Sequence, residues 1–179
     1  YNGILISDFV YGVITPNIID AITKISKRFN IPVFADIQCS SQYGNVLKFE
    51  NFELLCPNER EARIALGNNN DSIESIAMQI LKKTKSKKLV LKLGSNGFVS
   101  YEIKNDGFID REHFPALTVN PLDVAGAGDS LLAAISVCLT TGLSFMEASA
   151  LANYMTSLSV QTIGNTPIHK SKLVEEILK

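Results

Sequence analysis

The sequence predicts an α/β fold in which helices cover both faces of a mostly parallel central sheet. Short apolar segments alternate with longer segments of helical periodicity over most of the chain. This alternation is typical of parallel βαβ units, which bury their strands between helical layers. Polar residues or a glycine lie at the ends of the predicted strands or one or two residues past them. Ligands of such sheets bind beyond the carboxyl ends of the strands. A binding site is therefore expected at that edge of the sheet.

The chain begins with a predicted strand, a helix and a second strand. Residues 3–8 form an apolar run with a polar end, as expected of a short buried strand. Thr15 and Pro16 then start a helix, with Thr as the N-cap and Pro at the first helical position. Isoleucines recur at helical spacing up to about Phe29. The apolar segment 31–37 is the second strand.

Two further strands, residues 52–56 and 88–93, enclose two helical segments. The first helix starts next to Asn58, directly after the third strand. The second is amphipathic and runs from residue 72 to residue 83. Gly94 ends the fourth strand.

The last part of the chain is predicted to form a hairpin and three helices. Residues 97–101 and 108–114 are the two strands of the hairpin. The helices that follow span 128–139, 144–160 and 169–178. We find no internal repeat, low-complexity tract or linker.

Length and composition fit one domain spanning residues 1–179. Hydrophobic residues make up 46% of the chain and charged residues 20%, which is ordinary for a globular protein. Lys and Arg total 17 while Asp and Glu total 18, so no charge imbalance favours nucleic acid or an anionic membrane as a partner. No apolar run is long enough to span a bilayer.

The cysteines indicate a reducing compartment. They are widely spaced, odd in number and without a metal-binding pattern, so we expect reduced thiols in a cytoplasmic protein; they are Cys39, Cys56 and Cys138. The chain starts at Tyr1 rather than Met and moves directly into a strand. We therefore expect a piece of a longer protein.

The run Gly126-Ala127-Gly128-Asp129 is the most informative motif. It leads into an apolar helix, and the backbone N–H groups at a helix N-terminus bind anions because they have no partner inside the helix. A carboxylate beside such an anion can accept the proton of a hydroxyl that attacks phosphorus. The motif thus predicts transfer of a phosphoryl group to an alcohol. The alternative is a plain helix start with an acidic residue favoured by the helix dipole.

Asn58 and Glu61 form a second motif at the start of a helix. An amide and a carboxylate three residues apart share one face of a helical turn, where they could hold Mg²⁺ or its water shell near phosphates. The alternative is a capped helix with a Glu in its first turn.

The turn from Lys92 to Gly97 contains two glycines, Gly94 and Gly97, and could pass close to a nucleotide. An ordinary glycine turn is the alternative. Asp8 and Asp36 end successive strands, where each could contact a substrate hydroxyl or simply terminate its strand.

In this order the motifs resemble the ribokinase-like (PfkB-type) carbohydrate kinase family. The motifs are Asp8 at a strand end, Asn58-x-x-Glu61, Gly94-x-x-Gly97, Asp123-x-x-Gly126-Ala127-Gly128-Asp129 and Gly164. The resemblance implies a three-layer α/β/α fold and covers essentially the whole chain, as the carboxy-terminal half to two-thirds of such a kinase. The family's amino-terminal substrate and lid part would be absent. We expect such a fragment alone to be inactive, because closure over the substrate excludes water.

The resemblance assigns residues to the nucleotide side of a kinase that uses ATP and Mg²⁺. Asp129 would be the catalytic base. The anion hole for the transferred phosphoryl would consist of the backbone N–H groups of Gly126, Ala127 and Gly128. The ATP-binding residues would be Asn58, Lys92, Gly94, Gly97 and Asn153, and Glu61 would act on Mg²⁺ through water.

The resemblance also assigns a substrate side and a monovalent cation site. The substrate residues would be Asp8, Gly12 and Asp36. A cation such as K⁺ would be held by Asp123, Ala125, Ser159, Thr162 and Gly164, largely through backbone carbonyl groups.

Within the family, the stretch around Asp8 and the motif ending at Asp129 look most like the heptose-phosphate kinase branch. That branch usually has a Lys where this chain has Tyr11, and Asp-Pro-Lys-Gly where this chain has Asp36-Ile-Gln-Cys39. Two substrate-side cations are therefore missing, which favours a sugar or sugar-like alcohol other than heptose 7-phosphate.

The expected function is that of an ATP-dependent sugar kinase acting on a small-molecule sugar or sugar phosphate. A nucleoside or vitamin kinase of the same fold is the alternative within the enzyme class. A non-catalytic nucleotide or sugar sensor is the alternative outside it. The expected protein partner is at most a second copy, in a homodimer.

Overall fold

A mixed sheet organises the protein in the computed structural model, which describes residues 1–38, 44–118, 120–164 and 166–178. Within these ranges six strands lie side by side in chain order. They are β1 (Ile4–Asp8), β2 (Val33–Ile37), β3 (Leu54–Leu55), β4 (Lys88–Lys92), β5 (Phe98–Ile103) and β6 (Ile109–Phe114). Strands β1 to β4 are parallel, whereas β4, β5 and β6 pair antiparallel.

Helices form a layer on each side of this sheet. In chain order they are α1 (Pro16–Phe29), α2 (Glu59–Leu66), α3 (Ile73–Thr84), α4 (Ala127–Thr140), α5 (Phe145–Ser159) and α6 (Lys170–Ile177). The connections between β1 and β4 all step in one direction across the sheet, so right-handed crossovers place α1, α2 and α3 on one face. None of these helices, within the described ranges, is long and apolar enough to cross a membrane.

The side chains of each strand alternate between two hydrophobic clusters. In β2, Val33, Ala35 and Ile37 pack in the cluster that includes α3, and Phe34 packs in the cluster that includes α4 and α5. All five residues of β2 are buried, as expected of a strand covered on both faces. Even-numbered residues of β2, including Asp36, therefore face α4.

The predicted elements are confirmed with small shifts of their ends. Thr15, Asn58, Ser72 and Ser144 act as N-caps through their side chains, where the sequence places the helix starts. The second and third strands are shorter than expected, and the third contains only two residues. The predicted three-layer α/β/α fold is confirmed.

Gly97 makes the turn between β4 and β5 possible. Its φ is +82°, which side chains rarely adopt, and a Cβ at this position would lie 2.0 Å from the carbonyl oxygen of Phe114. Lys92 and Phe98 pair directly across this turn. The glycine therefore lets the β5–β6 hairpin approach the end of β4.

We expect Gly97→Ala to lower the free energy of unfolding by more than about 3 kcal/mol, because the new methyl group would overlap backbone atoms that cannot move independently. Gly107→Ala is the matched control: Gly107 has the same φ of +82° but open space around the position of the Cβ. It should cost only about 1 kcal/mol. Urea denaturation measures both, and equal losses would contradict the explanation.

Candidate active site

Asp129 is the third residue of α4 and lies at the carboxyl edge of the sheet. Gly126 is the N-cap of the helix, and its left-handed φ of +76° lets the chain turn into the first helical residue. We call the backbone N–H groups of Gly126, Ala127 and Gly128 the amide cradle. The N–H of Ala127 donates to the carbonyl of Val124 at 3.3 Å, so this member of the cradle already has an acceptor. First-turn amides of a helix otherwise have no acceptor within it, which leaves them available to an anion.

Among the residues that the structure describes, two neutral donors hold the Asp129 carboxylate. The hydroxyl of Ser7 donates to Oδ1 at 2.8 Å, and the side-chain amide of Gln38 donates to Oδ2 at 3.1 Å. Both donors come from strand ends, at positions that face α4 by strand alternation. The sequence analysis missed both residues, although their positions one residue before Asp8 and two after Asp36 place them on that face. These two hydrogen bonds use only part of the accepting capacity of the carboxylate.

An ion pair lies beneath the amide cradle. Lys92, the last residue of β4, places its Nζ 2.5 Å from Oδ2 of Asp36 in β2. The Asp36 side chain is fully buried, and 17% of the Lys92 side chain is exposed. A Cβ on Gly128 would lie 3.1 Å from Nζ of Lys92 and 3.4 Å from Oδ2 of Asp36. The pair therefore packs against the backbone of the cradle.

Burial and pairing set the ionisation of these two groups. Desolvation raises the pKa of Asp36 to about 6, against the opposing attraction of Lys92. Desolvation acts to lower the pKa of Lys92, but the attraction and hydrogen bond of Asp36, together with the charge of Glu61, raise that pKa overall. Both groups are therefore charged at neutral pH.

A cavity of about 630 Å³ opens between α4, α5 and the turn after β4. We call it the α4–α5 cavity. It brings together Lys92, Gly94, Gly97 and Asn153, all assigned to one ligand by the sequence, and its wall includes Gly128 of the cradle. Asn153 is anchored there, because its amide donates to the carbonyl of Pro115 at 2.9 Å.

Asn58 and Glu61 form a capping box at the start of α2. The Asn58 side chain accepts from the N–H of Glu61 at 2.8 Å, and Glu61 Oε2 accepts from the N–H of Asn58 at 2.7 Å. The capped helix expected as the alternative is thus present. The backbone of Asn58 also bridges to Lys92, so the capping box lies beside the ion pair. A second cavity, of about 820 Å³, contacts both Asn58 and Lys92.

Comparison with known proteins identifies the family. The model of the pfkB family of carbohydrate kinases matches residues 4–171. This chain belongs to that family. The family predicted from the ordered motifs is confirmed, as is the resemblance to its heptose-phosphate kinase branch.

A curated relative and two solved structures illustrate the pfkB family likeness. The bifunctional protein HldE of Geotalea uraniireducens is 30% identical over 99% of this chain and 35% of that protein. A ribokinase of Arabidopsis thaliana, solved with ribose and ATP, is 25% identical with a TM-score of 0.76 and covers 97% of this chain and 55% of its own. Phosphofructokinase-2 of Escherichia coli, solved with potassium, shares the fold at a TM-score of 0.78 and 17% identity, over 97% of this chain and 55% of its own. The chain spans about a third of the curated relative's length.

The residues that the pfkB resemblance assigned to the substrate lie in different surroundings. Asp8 is buried on the face opposite α4, where it pairs with Lys48 and accepts from the N–H of Val10 at 2.9 Å. Gly12 lies in the exposed loop after β1, and Asp36 lies beneath the cradle. The sequence analysis missed Lys48, whose partner is 40 residues away. Cys39 falls outside the described residues.

The residues assigned to a monovalent cation do come together. Asp123 accepts from the N–H of Ala125 at 2.9 Å and from the N–H of Gly164 at 3.0 Å. These hydrogen bonds hold the pKa of Asp123 below its usual value. The hydroxyl of Thr162 donates to the carbonyl of Ser159 at 2.9 Å in the same loop. Among the residues that the structure describes, no three His, Cys, Asp or Glu side chains cluster as a metal site.

The ionisation of Asp36 should give stability a specific pH dependence. Its pKa is 3.8 ordinarily and about 6 in the folded chain, so between these values the folded chain binds the proton more tightly. The contribution of Asp36 to the free energy of unfolding therefore falls as the pH rises through this window and is level above it. Urea denaturation of the parent and of Asp36→Asn at several pH values isolates this contribution. The free energy of unfolding of the variant, relative to that of the parent, should increase as the pH rises from 3.8 to about 6. A relative value that stays constant with pH would refute the raised pKa of Asp36.

Proposed function

We propose that this chain is the nucleotide-binding and catalytic part of an ATP-dependent sugar kinase. The observation that carries the proposal is the position of Asp129. It comes directly after the amide cradle in the first turn of α4, and the cradle residues Ala127 and Gly128 line the α4–α5 cavity. A donor nucleotide in the cavity would then place its terminal phosphate beside a carboxylate. The Arabidopsis ribokinase solved with ribose and ATP supports this reading.

The proposed reaction is an in-line phosphoryl transfer. Asp129 accepts the proton of the acceptor hydroxyl as its oxygen bonds to the γ-phosphorus, and the bond to the β-phosphate oxygen breaks to release ADP. The hydrogen bonds from Ser7 and Gln38 keep the carboxylate oriented toward the acceptor. The amide cradle stabilises the charge on the phosphoryl oxygens.

Oxygen donors near the cradle fit a hard cation such as Mg²⁺. The side chains of Asn58 and Glu61 are each held by the backbone N–H of the other residue. Glu61 also acts electrostatically on Asp36 and Lys92. We assign to Glu61 a water-mediated contact with Mg²⁺, which would neutralise charge on the nucleotide phosphates.

The loop around Asp123 is the proposed site for a monovalent cation such as K⁺. The hydrogen bonds of Asp123 to Ala125 and Gly164 fix the backbone that would present carbonyl groups to the ion. The phosphofructokinase-2 of the same fold that was solved with potassium is consistent with this site.

Charge at the acceptor edge favours a neutral sugar over a sugar phosphate. Lys48 is paired with the buried Asp8 on the face opposite α4. Lys92 lies beneath the amide cradle and lines the α4–α5 cavity, which is the proposed nucleotide side. Gln38, which contacts the catalytic carboxylate, is neutral. A phosphate on the acceptor would gain little from these residues.

We expect Asp129→Asn to lower kcat by about 10²- to 10⁴-fold in the full-length protein, the usual contribution of a general base. The amide has the shape of the carboxylate but accepts no proton, so Mg²⁺·ATP should still bind. Steady-state kinetics with a coupled ADP assay measures kcat, and calorimetry checks binding. Unchanged turnover would remove Asp129 as the base. Binding without turnover in the parent would instead indicate a non-catalytic homologue.

A panel of acceptors tests the substrate class. We expect kcat/KM for the best neutral sugar to exceed that for its phosphorylated form by about 10-fold or more, because among the described residues no cation at the acceptor edge is placed to receive the phosphate. The panel should include nucleosides and hydroxyl-bearing vitamins, which the same fold could accept. A preference for either class, or for a sugar phosphate, would contradict the proposed acceptor.

A further inference from the structure

We propose that Lys92 binds the phosphate chain of the nucleotide through its ammonium group, and that Asp36 positions this ammonium beneath the amide cradle. The inference rests on the proposed function, which supplies the nucleotide. It adds a charged partner to the phosphate site and gives the buried Asp36 a positioning role instead of contact with the acceptor.

Strand geometry places Lys92 and Asp36 under the cradle. Lys92 shares the face of β4 with Val90, which packs in the cluster of α4 and α5, and Asp36 shares the face of β2 with Phe34 in the same cluster. Each is at or next to the carboxyl end of its strand, where α4 begins. The distance of 3.1 Å from Nζ to a Cβ built on Gly128 shows how closely the ammonium approaches the cradle. A side chain at position 128 would separate the two.

The two partners differ in their accessibility. Asp36 is fully buried, whereas 17% of the Lys92 side chain is exposed. Lys92 lies on the walls of both the α4–α5 cavity and the cavity beside α2. Lys92, unlike Asp36, therefore lines both cavities that a phosphate chain could enter.

Charge balance explains why the lysine needs an anchor. The cation lies near the positive N-termini of α2 and α4, and burial adds a desolvation cost, so an isolated ammonium would be unfavourable. Asp36 pairs with it directly and Glu61 acts on both groups. Phosphate oxygens beside the cradle would add charge-assisted hydrogen bonds to the same ammonium.

The double variant Lys92→Met/Asp36→Asn tests the proposal. It removes both charges together, so that no buried carboxylate is left unpaired, and it keeps similar side-chain volumes. Calorimetry on the full-length protein would compare Mg²⁺·ATP with adenosine, which has no phosphate. We expect affinity for Mg²⁺·ATP to fall about 10- to 100-fold, as for loss of a charged hydrogen bond. Affinity for adenosine should change less than about twofold.

Equal affinity of the double variant and the parent for Mg²⁺·ATP would overturn the role of Lys92, as would equal losses for the two ligands. A parent that binds neither ligand would overturn the proposed function itself, so the two failures are distinguishable.

Asp36→Asn alone gives an independent test if the double variant does not fold. It keeps the ammonium near Glu61 but removes the carboxylate that positions it. We expect the affinity for Mg²⁺·ATP to fall about 10-fold and the affinity for adenosine to change less than about twofold. An unchanged affinity for Mg²⁺·ATP, or equal losses for the two ligands, would overturn the positioning role of Asp36.

Discussion

The ion pair between Lys92 and Asp36 joins the elements on which the site depends. It links the ends of β2 and β4 across the short strand β3 and supports the first turn of α4 through contact with Gly128. A buried ion pair contributes little net stability, but loss of one partner leaves a costly unpaired charge. The pair therefore constrains the position of the start of α4 relative to the ends of β2 and β4. Because the cradle and Asp129 lie in that first turn of α4, the same constraint sets their positions.

Strand alternation divides the polar residues at this edge into two groups with different roles. Ser7, Asp36, Gln38 and Lys92 face α4, where they contact Asp129, the cradle or each other. Asp8 faces the other layer and is neutralised by Lys48. Residues that are neighbours in sequence thus serve different surfaces: Ser7 orients the proposed base, while Asp8 fixes the loop that follows β1.

The N-termini of α2 and α4 both lie near the ion pair, but their first-turn N–H groups are capped differently. Asn58 and Glu61 satisfy the first turn of α2 through their own side chains. At α4 the N-cap is Gly126, which has no side chain to offer, so that turn remains open to an external anion. We therefore propose that a phosphate binds at the start of α4. The start of α2 would instead contribute the side chains of Asn58 and Glu61, which the capping box holds in fixed positions.

The sequence by itself determined the helices, the strands and the order of the motifs, because caps, periodicity and glycine turns are local properties. Asn58, Ser72 and Ser144 begin helices as their side chains predict. Only the tertiary structure decided which side chains meet: Ser7 reaches Asp129 across 122 residues, and Lys92 reaches Asp36 across 56. Such partners depend on strand register and on which face each residue presents to α4. Local patterns leave both open until the sheet and its two helical layers assemble.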